Sequence, residues 1–138
     1  MSVPETTQAC LRVWGDDLVP DEVSKLLGQQ PTNSECKGDV LIGKVTGQKR
    51  IAKTGGWRLR APESSDGNLD AQIIEILDKL TDNLAVWHDL TVRFGADFFC
   101  GIFLKTGNDG LSLQASTTQM LGERGLKLEL DIYDPSDD

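Results

Sequence analysis

Four groups of residues in this chain have types and spacings that suggest chemistry. The first is Cys36 with Lys37, inside LLGQQPTNSECKGD, residues 26–39. Glycines, small polar residues and a lysine are the ingredients of a phosphate-cradling loop, and an ammonium beside a thiol favours a nucleophilic thiolate. A Walker loop, however, places G-x-x-x-x-G-K-[ST] between a strand and the helix that follows it. Here Gly28 follows a helical pattern and Cys36-Lys37-Gly38 precedes a strand-like one, so the order is reversed. A cysteine nucleophile also wants a base, and the chain holds a single histidine, His88. Cys36 therefore reads as a free loop thiol.

His88 itself stands in VWHDL, beside Asp89. Neighbouring residues of a helix point in different directions, so Asp89 is a poor orienter for the imidazole. One histidine cannot build a histidine-rich metal centre. The acidic end, with Glu129, Asp131, Asp134, Asp137 and Asp138, offers oxygen ligands to a hard cation. It lacks the D-x-[DN]-x-[DN]-G order of a calcium loop and reads as a solvated terminus. No catalytic residue, metal site or cofactor is expected.

The fourth group is the most informative. Between residues 44 and 60 there are six basic residues (Lys44, Lys49, Arg50, Lys53, Arg58, Arg60) and no acidic ones, in a chain whose net charge is −8. On a hairpin several of these would share a face around Trp57. Lys53, Trp57, Arg58 and Arg60 thus form the candidate surface for a ligand or partner, with Trp57 as its anchor where exposed. The plainer alternative pairs these cations with carboxylates on adjacent strands and puts Trp57 in the core.

Elements must position these groups. With 138 residues, 38% hydrophobic and 26% charged, the chain is expected to form one globular domain, residues 1–138, with frayed ends at 1–6 and 134–138. Its acidity argues against nucleic acid as a partner. No apolar run reaches the roughly 20 residues that span a bilayer, and MSVPETTQAC has no signal-peptide pattern, so a cytoplasmic protein is expected. Three widely spaced cysteines, Cys10, Cys36 and Cys100, point away from a disulfide framework. Cys10 and Cys100 are expected inside strands, as small buried hydrophobes.

QACLRVWG (8–15) reads as a strand with both faces partly covered. PDEVSKLLG reads as a short helix, opened by Pro20 and closed by Gly28. DVLIGKV (39–45) and RIAKTGGWRLRA (50–61) read as a hairpin about TGQK, with Gly55-Gly56 marking a bulge or close backbone approach. NLDAQIIEILDKL carries an apolar stripe through Leu69, Ile73, Ile76, Leu77 and Leu80, capped by Asp66 or Asn68. NLAVWHDLTVRFG follows as a second helix, and DFFCGIFLK (97–105) as a strand. LSL reads as a strand extension. QASTTQMLG reads as a helix closed by Gly122. LKLELDIY (126–133) alternates like a half-buried antiparallel strand. The whole is an α+β two-layer sandwich: a mostly antiparallel sheet with helices packed on one face. The two strand-to-helix passages ending in Leu27-Gly28 and Leu121-Gly122 hint at an internal pseudo-repeat.

PDEVSKLLGQQPT, the following KGD, GGWRL, LDAQIIEILDKL and LGERGLKLELDIYD occur in this order across nearly the whole chain. In this ordered set the chain resembles the bacterial family catalogued as domain of unknown function 4279. The resemblance implies a compact α+β domain and brings no activity, cofactor or catalytic residue with it. The leading functional expectation is a non-enzymatic interaction protein of inhibitor or immunity type, meeting another protein through a strand edge or the hairpin face. The rival is an anionic-ligand-binding domain or minor enzyme using Lys53, Arg58 and Arg60. A homodimer on an open sheet edge is compatible with both.

Overall fold

The first strand organises the molecule because both of its edges are paired. In the computed structural model, which describes residues 2–135, β1 (Thr6–Gly15) lies between β5 (Gly55–Arg60) and β6 (Gly95–Phe103), antiparallel to each. Thr7, Ala9, Leu11 and Val13 are buried on one side of it. The register sets Leu11 beside Leu59 and Phe98, and Val13 beside Trp57. Strand alternation sends Gln8, Cys10, Arg12 and Trp14 to the other side.

The helices cover only the first side. α1 (Pro20–Leu27) packs on β5, α2 (Leu69–Asp78) on β1 and α3 (Leu84–Arg93) on β6. One apolar cluster joins them, with Val23, Leu27, Trp57, Ile73, Trp87, Leu90 and Phe98 fully buried at its centre. The polar groups at its centre are hydrogen-bonded, whereas Thr117 Oγ1 and Arg124 Nε at its α4 end make no hydrogen bond among the described residues. Trp57 Nε1 donates to Ser24 Oγ at 3.0 Å. Thr7 Oγ1 donates to Gln72 Oε1 at 2.7 Å, and Gln72 Nε2 donates back to the Thr7 carbonyl at 2.9 Å, tying α2 to β1.

Local signals set the helix ends. Pro20 opens α1, and Gly28 closes it in the left-handed region at φ 82°, its N–H donating to the Ser24 carbonyl at 2.8 Å. Asn68 caps α2 by accepting from the Ala71 N–H at 3.1 Å, and the Asn83 side chain caps α3. α4 (Ala115–Glu123) continues through Gly122, and the chain turns at Gly125, φ 71°. Gly28 and Gly122 therefore play different parts, a cap and a helix-interior residue.

The sheet order is β2-β5-β1-β6-β7, with β2 at Asn33–Glu35 and β7 at Lys127–Tyr133. All neighbours are antiparallel except β6 and β7, so the expected antiparallel pairing of LKLELDIY is corrected to a parallel one. The cause is α4, which carries the chain back so that β7 starts at the same end as β6. By register, Leu130 and Ile132 face the helix side, but they are 44% and 58% exposed at this edge.

The expected hairpin also divides. β3 (Val40–Ile42) and β4 (Lys49–Ile51) form a separate two-stranded sheet, while β5 joins the main one. The split falls at Ala52–Thr54 and is set by Gly55. A Cβ there would lie 2.8 Å from the Gly15 carbonyl oxygen and 2.9 Å from that of Leu18, the close backbone approach that Gly55-Gly56 suggested. Residues 111–113 form no strand. The first residues, expected to fray, make backbone bonds: the Glu5 N–H donates to the Phe103 carbonyl, and the Gly110 N–H to that of Ser2, both at 2.9 Å. Residues 136–138 of the expected frayed end lie outside the described residues.

Two outcomes test this packing. Gly55→Ala meets two backbone oxygens that cannot swing away, so urea unfolding should show a loss of about 1–3 kcal/mol. Gly122→Ala meets nothing within 4 Å in the last turn of α4, so it should gain up to about 0.5 kcal/mol. Cys100, fully buried in β6, adds a pH signature. Burial, aided by the Cys10 thiol and Asp97, pushes its thiol from 9.0 up to about 12. The folded chain thus holds a proton that the unfolded chain releases near 9. Its contribution is intact below that pH and is lost as pH rises toward 12. The urea midpoint should fall more steeply between about pH 8.5 and 10.5 in the wild type than in Cys100→Ala.

Candidate functional site

The side of the sheet away from the helices has no covering layer among the described residues, and its chemistry is set by register. Arg12 of β1 stands directly beside Arg58 of β5 and beside Asp97 of β6. Like charges placed opposite one another repel. The flanking strands resolve this. Arg12 Nε donates to Asp97 Oδ1 at 2.8 Å and Nη2 to Oδ2 at 2.7 Å. Arg58 Nη2 donates to both oxygens of Glu35 on β2, at 2.7 and 2.5 Å. The charges therefore run negative, positive, positive, negative across four strands, with Glu35 reaching Arg58 diagonally from its place beside Gly56.

Asp97 is 1% exposed, and a buried carboxylate of this kind has to be paired and hydrogen-bonded. Its bonds, with burial working against them, hold the Arg12 guanidinium above its ordinary pKa. The Arg12 guanidinium also lies 4.4 Å from the centre of the Phe99 ring and 5.5 Å from that of Trp14, so aromatic faces hold it as well.

The next row differs. Cys10 stands between Arg60 of β5 and Phe99 of β6. Arg60 Nη1 donates to Asn33 Oδ1 at 2.9 Å, and no carboxylate forms an ion pair with it among the described residues. Burial raises the Cys10 thiol, and the opposing pull of Arg60, Arg58 and Arg12 does not offset it. Cys10 is therefore a protonated part of the floor at neutral pH. Together these side chains line a concavity of about 530 Å³, with Glu63 also in its wall. Glu63 Oε2 accepts from Gln8 Nε2 at 2.6 Å.

Of the four residues singled out by sequence, the structure brings Arg58 and Arg60 together here. Trp57 is 0% exposed and faces the helices, so its role as a surface anchor is corrected. Alternation along one strand puts it opposite the arginines that flank it. Lys53 is exposed at the foot of β4, near Glu35 and Arg50, outside the concavity. Sequence reasoning missed Arg12, Phe99 and Asp97 as site residues. Strand alternation sets Arg12 on the side of β1 shared by Cys10 and Trp14, but only the register shows which residues meet it.

The remaining candidates stay apart. Lys37 Nζ pairs with Asp16 at 3.2 Å, while the Cys36 N–H donates to Asp39. His88 Nε2 lies 3.3 Å from the Glu123 carbonyl oxygen, and Asp89 pairs with Arg93 rather than with the imidazole. At the acidic end, Asp131 accepts from the Tyr133 hydroxyl and Glu129 pairs with Lys127, while Asp137 and Asp138 lie outside the described residues. No group of three or more His, Cys, Asp or Glu side chains suited to a metal ion occurs among the described residues. No described helix is long and apolar enough to cross a membrane.

A second surface stands out from the sheet. Val40 pairs with Ile51 and Ile42 with Lys49, so these four share one face of the β3–β4 hairpin. Val40 is 61% exposed, Ile42 63%, Ile51 66%, and Val45 at the turn 98%.

No curated protein and no solved structure matches the chain. A family model described as a domain of unknown function, DUF4279, matches residues 4–135. That span takes in every strand and helix described above, and the chain belongs to the DUF4279 family.

Proposed function

We propose that this protein is a non-enzymatic cytoplasmic interaction domain, of inhibitor or immunity type, and that the β3–β4 hairpin meets the partner. The observation that carries this reading is the concentration of exposed branched residues on that hairpin. Single exposed apolar side chains are ordinary, whereas a contiguous patch rimmed by charge marks an interaction surface. Val40, Ile42 and Ile51 lie together with Lys49 on one face, and Lys44 and Lys53 stand at the two ends of the hairpin. The matching partner surface is apolar at its centre and acidic at its rim.

The hairpin's own packing supports the reading. A two-stranded sheet is marginally stable alone. In this one the ladder continues past the strands at its base, where the Gly38 N–H donates to the Ala52 carbonyl at 2.9 Å and the Ala52 N–H to that of Asp39 at 2.8 Å. A partner that covers its apolar face would order it further. Cys36 and His88 stand on separate elements with separate contacts, which supports the non-enzymatic side of the reading.

The test is a pull-down from the native host with wild type and with V40S/I42S/I51S. All three positions are exposed, so the variant should melt within a few degrees of the wild type. Wild type should recover one stoichiometric partner, and the variant at least about tenfold less of it. Recovery of only free monomer or self-dimer by the wild type, or equal recovery by the variant, overturns the proposal.

A further inference from the structure

We propose that the open face of the sheet is a second site, separate from the hairpin, for a small zwitterion with an apolar ring, of the class of the aromatic amino acids. Arg60 takes the carboxylate, Glu63 takes the ammonium, and the ring lies over Phe99 and Cys10.

The argument starts from what the lining has already neutralised. Arg12 is held by Asp97 and Arg58 by Glu35, so those charges are satisfied within the sheet. Two charges in the wall are left, one of each sign. Among the described residues, the Arg60 side chain has only the Asn33 amide as a hydrogen-bond acceptor, and the Glu63 side chain only the Gln8 amide as a donor. Both line the same concavity, three residues apart, and they do not pair with each other. A guanidinium and a carboxylate that face one space without meeting suit a ligand that carries both complementary charges. Such a ligand has no net charge, so the −8 of the chain does not repel it.

The floor accounts for the ring. Phe99, one face of which Arg12 covers, lines the concavity beside Cys10, kept as a thiol by its burial. The Phe99 ring is fixed by the Arg12 guanidinium 4.4 Å from its centre, which the buried Asp97 holds in turn. A platform positioned in this way loses little freedom when a ring stacks on it. The volume of about 530 Å³ falls among those of small-ligand sites, roughly 300–1,000 Å³. None of the hairpin residues belongs to this lining, so the two sites stand or fall separately.

The experiment uses three probes of one shape: L-phenylalanine, 3-phenylpropionate without the ammonium, and phenethylamine without the carboxylate. Amide shift titrations of the whole chain should show phenylalanine moving Arg60, Glu63 and Phe99, and each partial probe binding at least about tenfold more weakly. Arg60→Gln and Glu63→Gln change exposed side chains and should leave the melting temperature unchanged. Each should weaken phenylalanine by about tenfold. Phenylpropionate or phenethylamine binding as tightly as phenylalanine overturns the proposal. So does either variant retaining full affinity, or no shift at these residues with any probe.

Discussion

The bidentate pair between Arg12 and Asp97 is the constraint on which the uncovered half of this molecule depends. Helices on one face of a sheet leave the other face to water, and here its central row is ionic. Arg12 can stand beside Arg58 only because Asp97 balances it from the far side, and Asp97 can be buried only because Arg12 is there. A buried ion pair contributes little net stability compared with a well-packed apolar pair. What it contributes here is register. A slip of β1 by one residue would carry Arg12 among the helices and Val13 into solvent, so packing and charge specify the same alignment.

The remaining features follow from that alignment. With the β5, β1 and β6 register fixed, Arg60, Cys10 and Phe99 fall into the adjacent row and make the concavity. The same register turns Trp57 inward and leaves the β3–β4 hairpin outside the main sheet. The β7 edge is a further open surface, opposite the short edge strand β2. Pairing of two copies in antiparallel register about Leu130 would set Glu129 opposite Asp131, placing like charges face to face. The hairpin, apolar and basic, likewise repels a second copy of itself but attracts an acidic partner, and this separates it from the edge as a surface for contact.

Much of the fold was legible because it is local. Pro20 and Gly28 bound α1, Asn68 caps α2, and the stripe through Leu69, Ile73 and Ile76 names its buried face. The two-faced pattern of β1 foretold a central strand. What the sequence withheld was pairing. Asn33–Glu35 has no strand composition and becomes a strand only because β5 needs a neighbour. Alternation in LKLELDIY gives the faces of β7 but not its direction, which α4 decides. The candidate site was half legible: the basic run named Arg58 and Arg60 but grouped Trp57 with them, although the strand period of two sends it to the other face. Arg12, Asp97 and Phe99 come from segments far away in sequence, so their convergence is a property of register alone.

A double-mutant cycle across the central pair tests this account most directly, by urea unfolding of Arg12→Met, Asp97→Leu and the double variant. The Arg12 side chain is 35% exposed and that of Asp97 2%. Removing the arginine strands a buried charge, whereas removing the aspartate leaves a guanidinium that can turn to water. Arg12→Met should therefore cost about 3–5 kcal/mol, Asp97→Leu clearly less, and the double variant no more than Arg12→Met alone. Two single costs that simply add, or an aspartate variant harmed more than the arginine variant, would contradict it.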